Sequence, residues 1–182
     1  MARGKVVQKL TRTLLAAAII ALASGAAAPR AQAQAPAAAP LLSANDFVQV
    51  MANLAALDQQ AGRVAAVLGQ NNDVRRYGRD LGDDTRIKQI MSQSLGGAMP
   101  VPNANLAPAQ SDWLTSLHRI DNREFDRMFM DMQVQTHEQA AAVSQVYAQS
   151  GDNPAVKAMA AKLAAAFQQR AAAARGVQRV SG

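Results

Sequence analysis

The side chains able to hold a metal, relay a proton or attack a substrate are few: two histidines, His118 and His137, two glutamates, Glu124 and Glu138, a set of aspartates, eight methionines and no cysteine. Without thiols there is no disulfide framework, zinc finger, cysteine nucleophile or lipid-anchoring cysteine. Di-metal carboxylate bundles take a Glu from each of two helices and a Glu-x-x-His pair from each of the other two, a pattern that occurs nowhere in this chain. Met128, Met130 and Met132 with His137 invite a copper reading, because thioethers are soft ligands. On a helix, however, Met128 and Met132 share a face while Met130 points away, so gap-filling in a core accounts for them better. His118, beside Arg119, reads as a surface histidine. No Gly-x-Ser-x-Gly elbow marks a serine nucleophile, and no glycine-rich loop follows a strand to cradle a nucleotide. The side-chain inventory therefore points away from catalysis and implies no cofactor.

Partners are bounded by charge. The chain carries 19 Lys plus Arg against 13 Asp plus Glu, for a net charge of +6. Arg3, Lys5, Lys9 and Arg12 precede an apolar run over Leu14 to Ala23, and small residues follow, which is the pattern of a secretory signal peptide. Ten apolar residues are too few to span a bilayer. Ala31-Gln32-Ala33 supplies small side chains for cleavage and predicts a mature start at Gln34, with Ala28 and Ala35 as competing ends. Removing residues 1–33 takes away five basic residues and no acid, leaving +1. A near-neutral mature protein lacks the field that draws in nucleic acid, and seven aromatic residues give little to stack bases on. Arg75, Arg76 and Arg79 form a local basic cluster offset by Asp73, Asp80, Asp83 and Asp84, as on a solvated helix face. The expected location is the periplasm or beyond, with a protein or small-molecule partner and no transmembrane helix in the mature chain.

The elements that position these residues are helical. After an Ala- and Pro-rich spacer over residues 34–42, a domain over residues 43–180 begins with Ser43 as N-cap. Phe47, Val50, Leu54, Leu57, Ala61, Val64 and Leu68 then recur at spacings of three and four, which predicts an amphipathic helix ending at Gly69 to Asn72. A second helix is expected from Asp73, as its cap, to about Leu95, with Val74, Tyr77, Leu81, Met91 and Leu95 inward and a polar middle at Asp84, Thr85 and Lys88. Gly96 to Pro108 cannot continue it. A short helix around Trp113, Leu114 and Leu117 is expected next, with Trp113 packing over the bundle end or standing as an exposed anchor. Asp121 with Glu124 resembles a capping box for a third long helix to about Gln149, with Phe125, Phe129, Met132, Val143 and Val146 inward. Asn153-Pro154 caps a fourth, whose stripe is Val156, Met159, Leu163 and Phe167 and whose last turns place Arg175 and Arg179 near the C-terminal dipole. No alternating run predicts a strand. The expected fold is an all-α antiparallel four-helix bundle with an extra short helix in the connection between helices 2 and 3.

Several segments in this order resemble a family of bacterial exported proteins, domain of unknown function 4142. They are Gly62-Arg63-Val64-Ala65-Ala66, Asp83-Asp84-Thr85, Phe125-Asp126-Arg127 with Thr136-His137-Glu138-Gln139-Ala140, and Asn153-Pro154-Ala155-Val156-Lys157. The resemblance implies a ferritin-like bundle and, in its interior, a carboxylate on the first helix with histidines on the other three. Here those positions fall on Gln60, Thr85, His137 and Arg170, so one potential ligand of four is retained. Asp58 and Asp84 with His137 form an alternative metal set, against which Arg170 brings a fixed positive charge. A different expectation is a polar layer in which Asp84 and Arg170 pair while Gln60, Thr85 and His137 satisfy the remaining hydrogen-bonding groups. Arg170 instead snorkelling to solvent is the competing arrangement. Functionally, the sequence reads as an exported non-enzymatic protein that binds or associates structurally, with a tie to envelope stress hinted by the resemblance. A ferritin-like metal or redox protein is the alternative.

Overall fold

The computed structural model describes residues 42–97, 99–104 and 106–181, all of whose regular structure is helical. The expected signal peptide and most of the spacer lie outside the described residues. The first helix, α1, spans Ala44–Leu68 and begins where Ser43 Oγ accepts the Asp46 N–H at 3.2 Å. The chain turns at Gly69 and enters α2, Asn72–Asp83, where the Asn71 side chain, rather than Asp73, is the cap: its Oδ1 accepts the Asp73 N–H at 2.7 Å.

The expected single second helix is two helices. After α2 the backbone opens to an extended conformation at Asp84, and α3 runs over Arg86–Leu95. Asp84 causes and repairs the interruption, because its Oδ1 accepts the Arg86 N–H at 2.7 Å, an alternative to continued helix that short acidic side chains offer the backbone. Gln59 of α1 donates to the freed Asp84 carbonyl at 3.2 Å. The short helix α4 follows over Pro108–Leu117, entered by the Gln110 side chain accepting the Ala107 N–H at 3.0 Å. Then come α5, Asn122–Ser150, capped by Asp121, and α6, Pro154–Ser181, where Asn153 Oδ1 accepts the N–H groups of Ala155 and Val156. At the start of α5, Asp121 Oδ1 takes the Arg123 N–H at 2.9 Å.

Two hairpins organise the molecule. The connection Gly151 to Asn153 folds α6 back along α5, and the Gly69 to Asn71 turn folds α2 back along α1. Packing of α2 and α3 on α6, and of α1 on α5, joins the hairpins, while α4 lies against α1. The shared core includes Phe47, Met51, Ile87, Met91, Phe125, Phe129, Met159, Leu163 and Phe167. At one end the Phe47 and Tyr147 rings stack with centroids 4.3 Å apart, joining α1 to α5.

The α1–α2 contact is unusually close. A Cβ added at Gly62 would stand 2.5 Å from the Gly82 nitrogen and 2.6 Å from the Gly78 oxygen, and one added at Gly78 would stand 2.6 Å from the Ala66 nitrogen. Three glycines thus let two helix backbones touch directly, which explains the Gly62 to Ala66 segment as a packing motif.

Some expected inward positions differ. Val146 is 51% exposed, because the inner face of α5 near its end runs through Ala140, Ala141, Ser144 and Tyr147. Met130, expected to point away, is fully buried, Met132 is buried, and Met128 is half-buried. Since α5 packs against both α6 and α1, its buried face is wider than a single stripe. Trp113 is half-buried against the core.

Candidate functional site

The break between α2 and α3 matters because it turns Asp84 toward the interior. There one side chain from each of four helical segments meets: Asp58 of α1, Asp84 of the α2–α3 junction, His137 of α5 and Arg170 of α6. The Arg170 guanidinium spans both carboxylates, with NH1 donating to Asp58 Oδ2 at 2.6 Å and NH2 to Asp84 Oδ2 at 2.8 Å. His137 Nε2 lies 3.1 Å from the same Asp58 oxygen. With the carboxylate as acceptor Nε2 carries a proton, so in the neutral ring Nδ1 is a bare lone pair. Asp58 is 2% exposed, His137 0% and Arg170 7%, so no substrate can touch the Asp58–His137 pair without the helices parting.

Apolar rings hold the cluster. Phe167, one turn before Arg170, places its ring centroid 5.9 Å from the guanidinium carbon and 6.0 Å from the His137 ring. Tyr77 of α2 meets Phe129 edge-on at 6.3 Å. Burial raises the Tyr77 hydroxyl pKa above its usual value, and the nearby Asp58 charge adds to this. For Asp84, burial pushes toward the neutral acid, but the Arg86 N–H and the Arg170 guanidinium outweigh it and hold the carboxyl below its usual value. The Tyr77 hydroxyl, Gln133 Oε1, His137 Nδ1 and Arg170 Nε are buried without a protein hydrogen-bond partner. Such groups weaken the cluster as a source of stability and favour a role in fixing geometry.

The sequence placed five residues in this layer, and the structure brings three of them, Asp84, His137 and Arg170, to it. Gln60 and Thr85 are exposed. Gln60 falls two residues past the inner position that Asp58 occupies on α1, and Thr85 sits outside the bend, where its Oγ1 accepts from Gln89 Nε2 at 3.0 Å. Arg170 does not snorkel to solvent. Asp58, expected only as one member of a metal set, is the hub. Its signal in the sequence is a second row of small or apolar residues, Met51, Ala55, Gly62 and Ala65, interrupted by this one acid.

Asp58, Asp84 and His137 do not fit a metal ion. The guanidinium already occupies the space between the carboxylates that a bridging cation would take, and its charge cannot be titrated away. Among the described residues no three His, Asp or Glu side chains are arranged to hold a metal. The methionines offer no better centre, since Met130 and Met132 are packed among core side chains. His118 is exposed, with Nδ1 donating to the Leu114 carbonyl at 3.2 Å.

A second polar feature lies outside the cluster. Asp126 of α5 accepts the N–H groups of Gln70 and Asn71 at 2.9 and 2.7 Å, clamping the α1–α2 turn onto α5. Phe125 beside it is buried in the core, which gives the Phe125-Asp126 segment a structural meaning.

A family model described as "Domain of unknown function (DUF4142)" matches residues 27–177, and the chain belongs to that family. No curated protein and no solved structure matches the chain.

Proposed function

For this member of the DUF4142 family we propose an exported helical-bundle protein that works without catalytic turnover, by binding or structural association in the periplasm. Its two hairpins pack as an antiparallel four-helix bundle of ferritin-like type, with the second member broken at Asp84. The observation that carries this reading is the Arg170 guanidinium lodged between Asp58 and Asp84, in the place a cation bridging those carboxylates would need. A buried pair of this kind sets helix register more than it adds stability, because desolvating the ions offsets most of their attraction. An envelope-stress role rests on the family resemblance and on the proposed export. No helix among the described residues is long and apolar enough to cross a membrane. The mature charge of +1 gives no reason to expect a nucleic-acid partner.

Elemental analysis of protein purified from the periplasm tests the reading. The expected result is no stoichiometric iron, manganese or copper. A stoichiometric metal that disappears in His137→Ala would establish the metal or redox alternative instead. Mass spectrometry of the same sample should give a chain beginning at Gln34, and recovery of the uncleaved chain from the cytoplasm would refute export.

A further inference from the structure

We propose that the groove between α1 and the end of α4 binds a small amphipathic anion: a phosphate-monoester or carboxylate head on a short apolar body. This inference is independent of the buried cluster. The groove has a volume of about 430 Å³, within the range of small-molecule sites. Its floor is apolar, made by half-buried Val64 and buried Leu114. Its polar wall is basic: Arg63 comes from α1, while His118 and Arg119 come from the turn that ends α4.

Two observations favour an anion. No carboxylate lines the groove. Among the described residues neither Arg63 nor Arg119 is in an ion pair, a state that several other surface arginines share, and these two line the same recess. His118 donates Nδ1–H to the Leu114 carbonyl, so in the neutral ring its Nε2 is an acceptor, and the charged donors for an anion come from the two arginines. Two guanidiniums, one from α1 and one from the turn after α4, therefore line one recess, and their planar donor forks suit an oxyanion. The Arg63 stem packs on α2, with its Cγ 3.3 Å from where a Cβ at Gly82 would stand, while the residue as a whole is exposed. The glycine crossing of α1 and α2 thus seats the stem of this arginine.

Size and charge choose a small ligand over a polymer. The mature chain is expected to carry +1, and its other basic cluster, Arg75, Arg76 and Arg79, is interleaved with acids, which gives little to follow a nucleic-acid backbone. The apolar floor gives a hydrophobic body somewhere to rest, so inorganic phosphate alone should bind more weakly.

Amide chemical shifts of the purified protein, followed during titration, supply the test. The probes are phenyl phosphate, benzoate, inorganic phosphate and phenol. Phenyl phosphate or benzoate should shift the Val64, Thr115 and His118 amides and bind about tenfold more tightly than inorganic phosphate, through partial burial of the ring. Tighter phenyl phosphate assigns a phosphate head, and tighter benzoate a carboxylate head. The Arg63→Gln/Arg119→Gln variant should weaken binding by about tenfold with its melting transition unchanged. If the double variant does not fold, the single variants Arg63→Gln and Arg119→Gln are measured, each expected to weaken binding by a few-fold. Absence of shifts at these amides with millimolar phenyl phosphate and benzoate, phenol binding as tightly as either, or unchanged binding in the variants would overturn the proposal.

Discussion

Replacing Arg170 with methionine keeps an unbranched side chain of similar reach and removes the guanidinium from the Asp58–Asp84 cluster. Its two carboxylates will respond differently. Asp84 has a side chain 22% exposed and keeps the Arg86 N–H, so it can rehydrate in place and contributes little to the loss. Asp58, at 2% exposure, keeps only His137 Nε2 among the donors named here and becomes a nearly orphaned buried charge. Breaking a buried pair in this way costs about 3–5 kcal/mol, and for a domain of this size that lowers the melting temperature by about 10 °C or more. Asp58→Asn should cost less, about 1–3 kcal/mol, because the amide oxygen still accepts from His137 and Arg170 retains Asp84. In Asp58→Asn/Arg170→Met no charge is left stranded at position 58. The double variant should therefore be more stable than the sum of the singles predicts, with a coupling of about 1–3 kcal/mol. Thermal and urea unfolding followed by circular dichroism on the four proteins of the cycle give these values. An Arg170→Met transition within about 0.5 kcal/mol of the parent, or strict additivity in the double variant, would refute the assignment of Asp58 as the hub.

Three further outcomes can be measured on the same preparations. Gly78→Ala should destabilise by about 1–3 kcal/mol, since its methyl would press on the Ala66 backbone, whereas Gly176→Ala, with nothing within 4 Å of the added carbon, should be neutral or stabilising by up to about 1 kcal/mol; equal unfolding midpoints would contradict the close crossing. Asp126→Ala should speed hydrogen exchange at the Gln70 and Asn71 amides and reduce stability by about 1–2 kcal/mol, and unchanged exchange there would show that the turn is held by other means. Burial, with Asp152 as hydrogen-bond acceptor, pushes the Tyr147 hydroxyl up to about 12. The raised value means that its stabilising contribution is complete below pH 10 and is lost as the pH rises toward 12, so tyrosinate absorbance should appear late and together with unfolding. Ionisation of both tyrosines near pH 10 with the helical signal intact would contradict this burial.

The candidate site was only partly legible because inward and outward are properties of a helix's neighbours. On α1 the large apolar stripe marks one buried line, but α1 also packs against α2, α3, α4 and α5, and the second buried line runs through small residues and Asp58. Register carried over from the family resemblance placed the carboxylate position on Gln60, two residues along, where the side chain faces solvent. A similar widening of the buried face explains why Met130 is inside, while Val146 faces out beyond the edge of the buried row. The polar middle seen between Leu81 and Met91 was a true signal of something unusual. Its meaning, a broken helix whose Asp84 serves as both cap and ion-pair partner, required Arg170 from a segment 86 residues away.

The sequence by itself determined the helical class, the positions of most helix ends and the family. Those features depend on local chemistry: caps at Ser43, Asp121 and Asn153, proline at the start of α6 and apolar residues repeating every three or four positions. Tertiary structure decided which polar residues meet. The Asp58–Arg170–Asp84 bridge, the His137 contact, the glycine crossing and the Asp126 clamp each depend on backbones brought together from distant parts of the chain. Whether an acid at helical spacing is a solvated surface residue or the hub of a buried network is set by what packs across from it, and in a single helix nothing yet does.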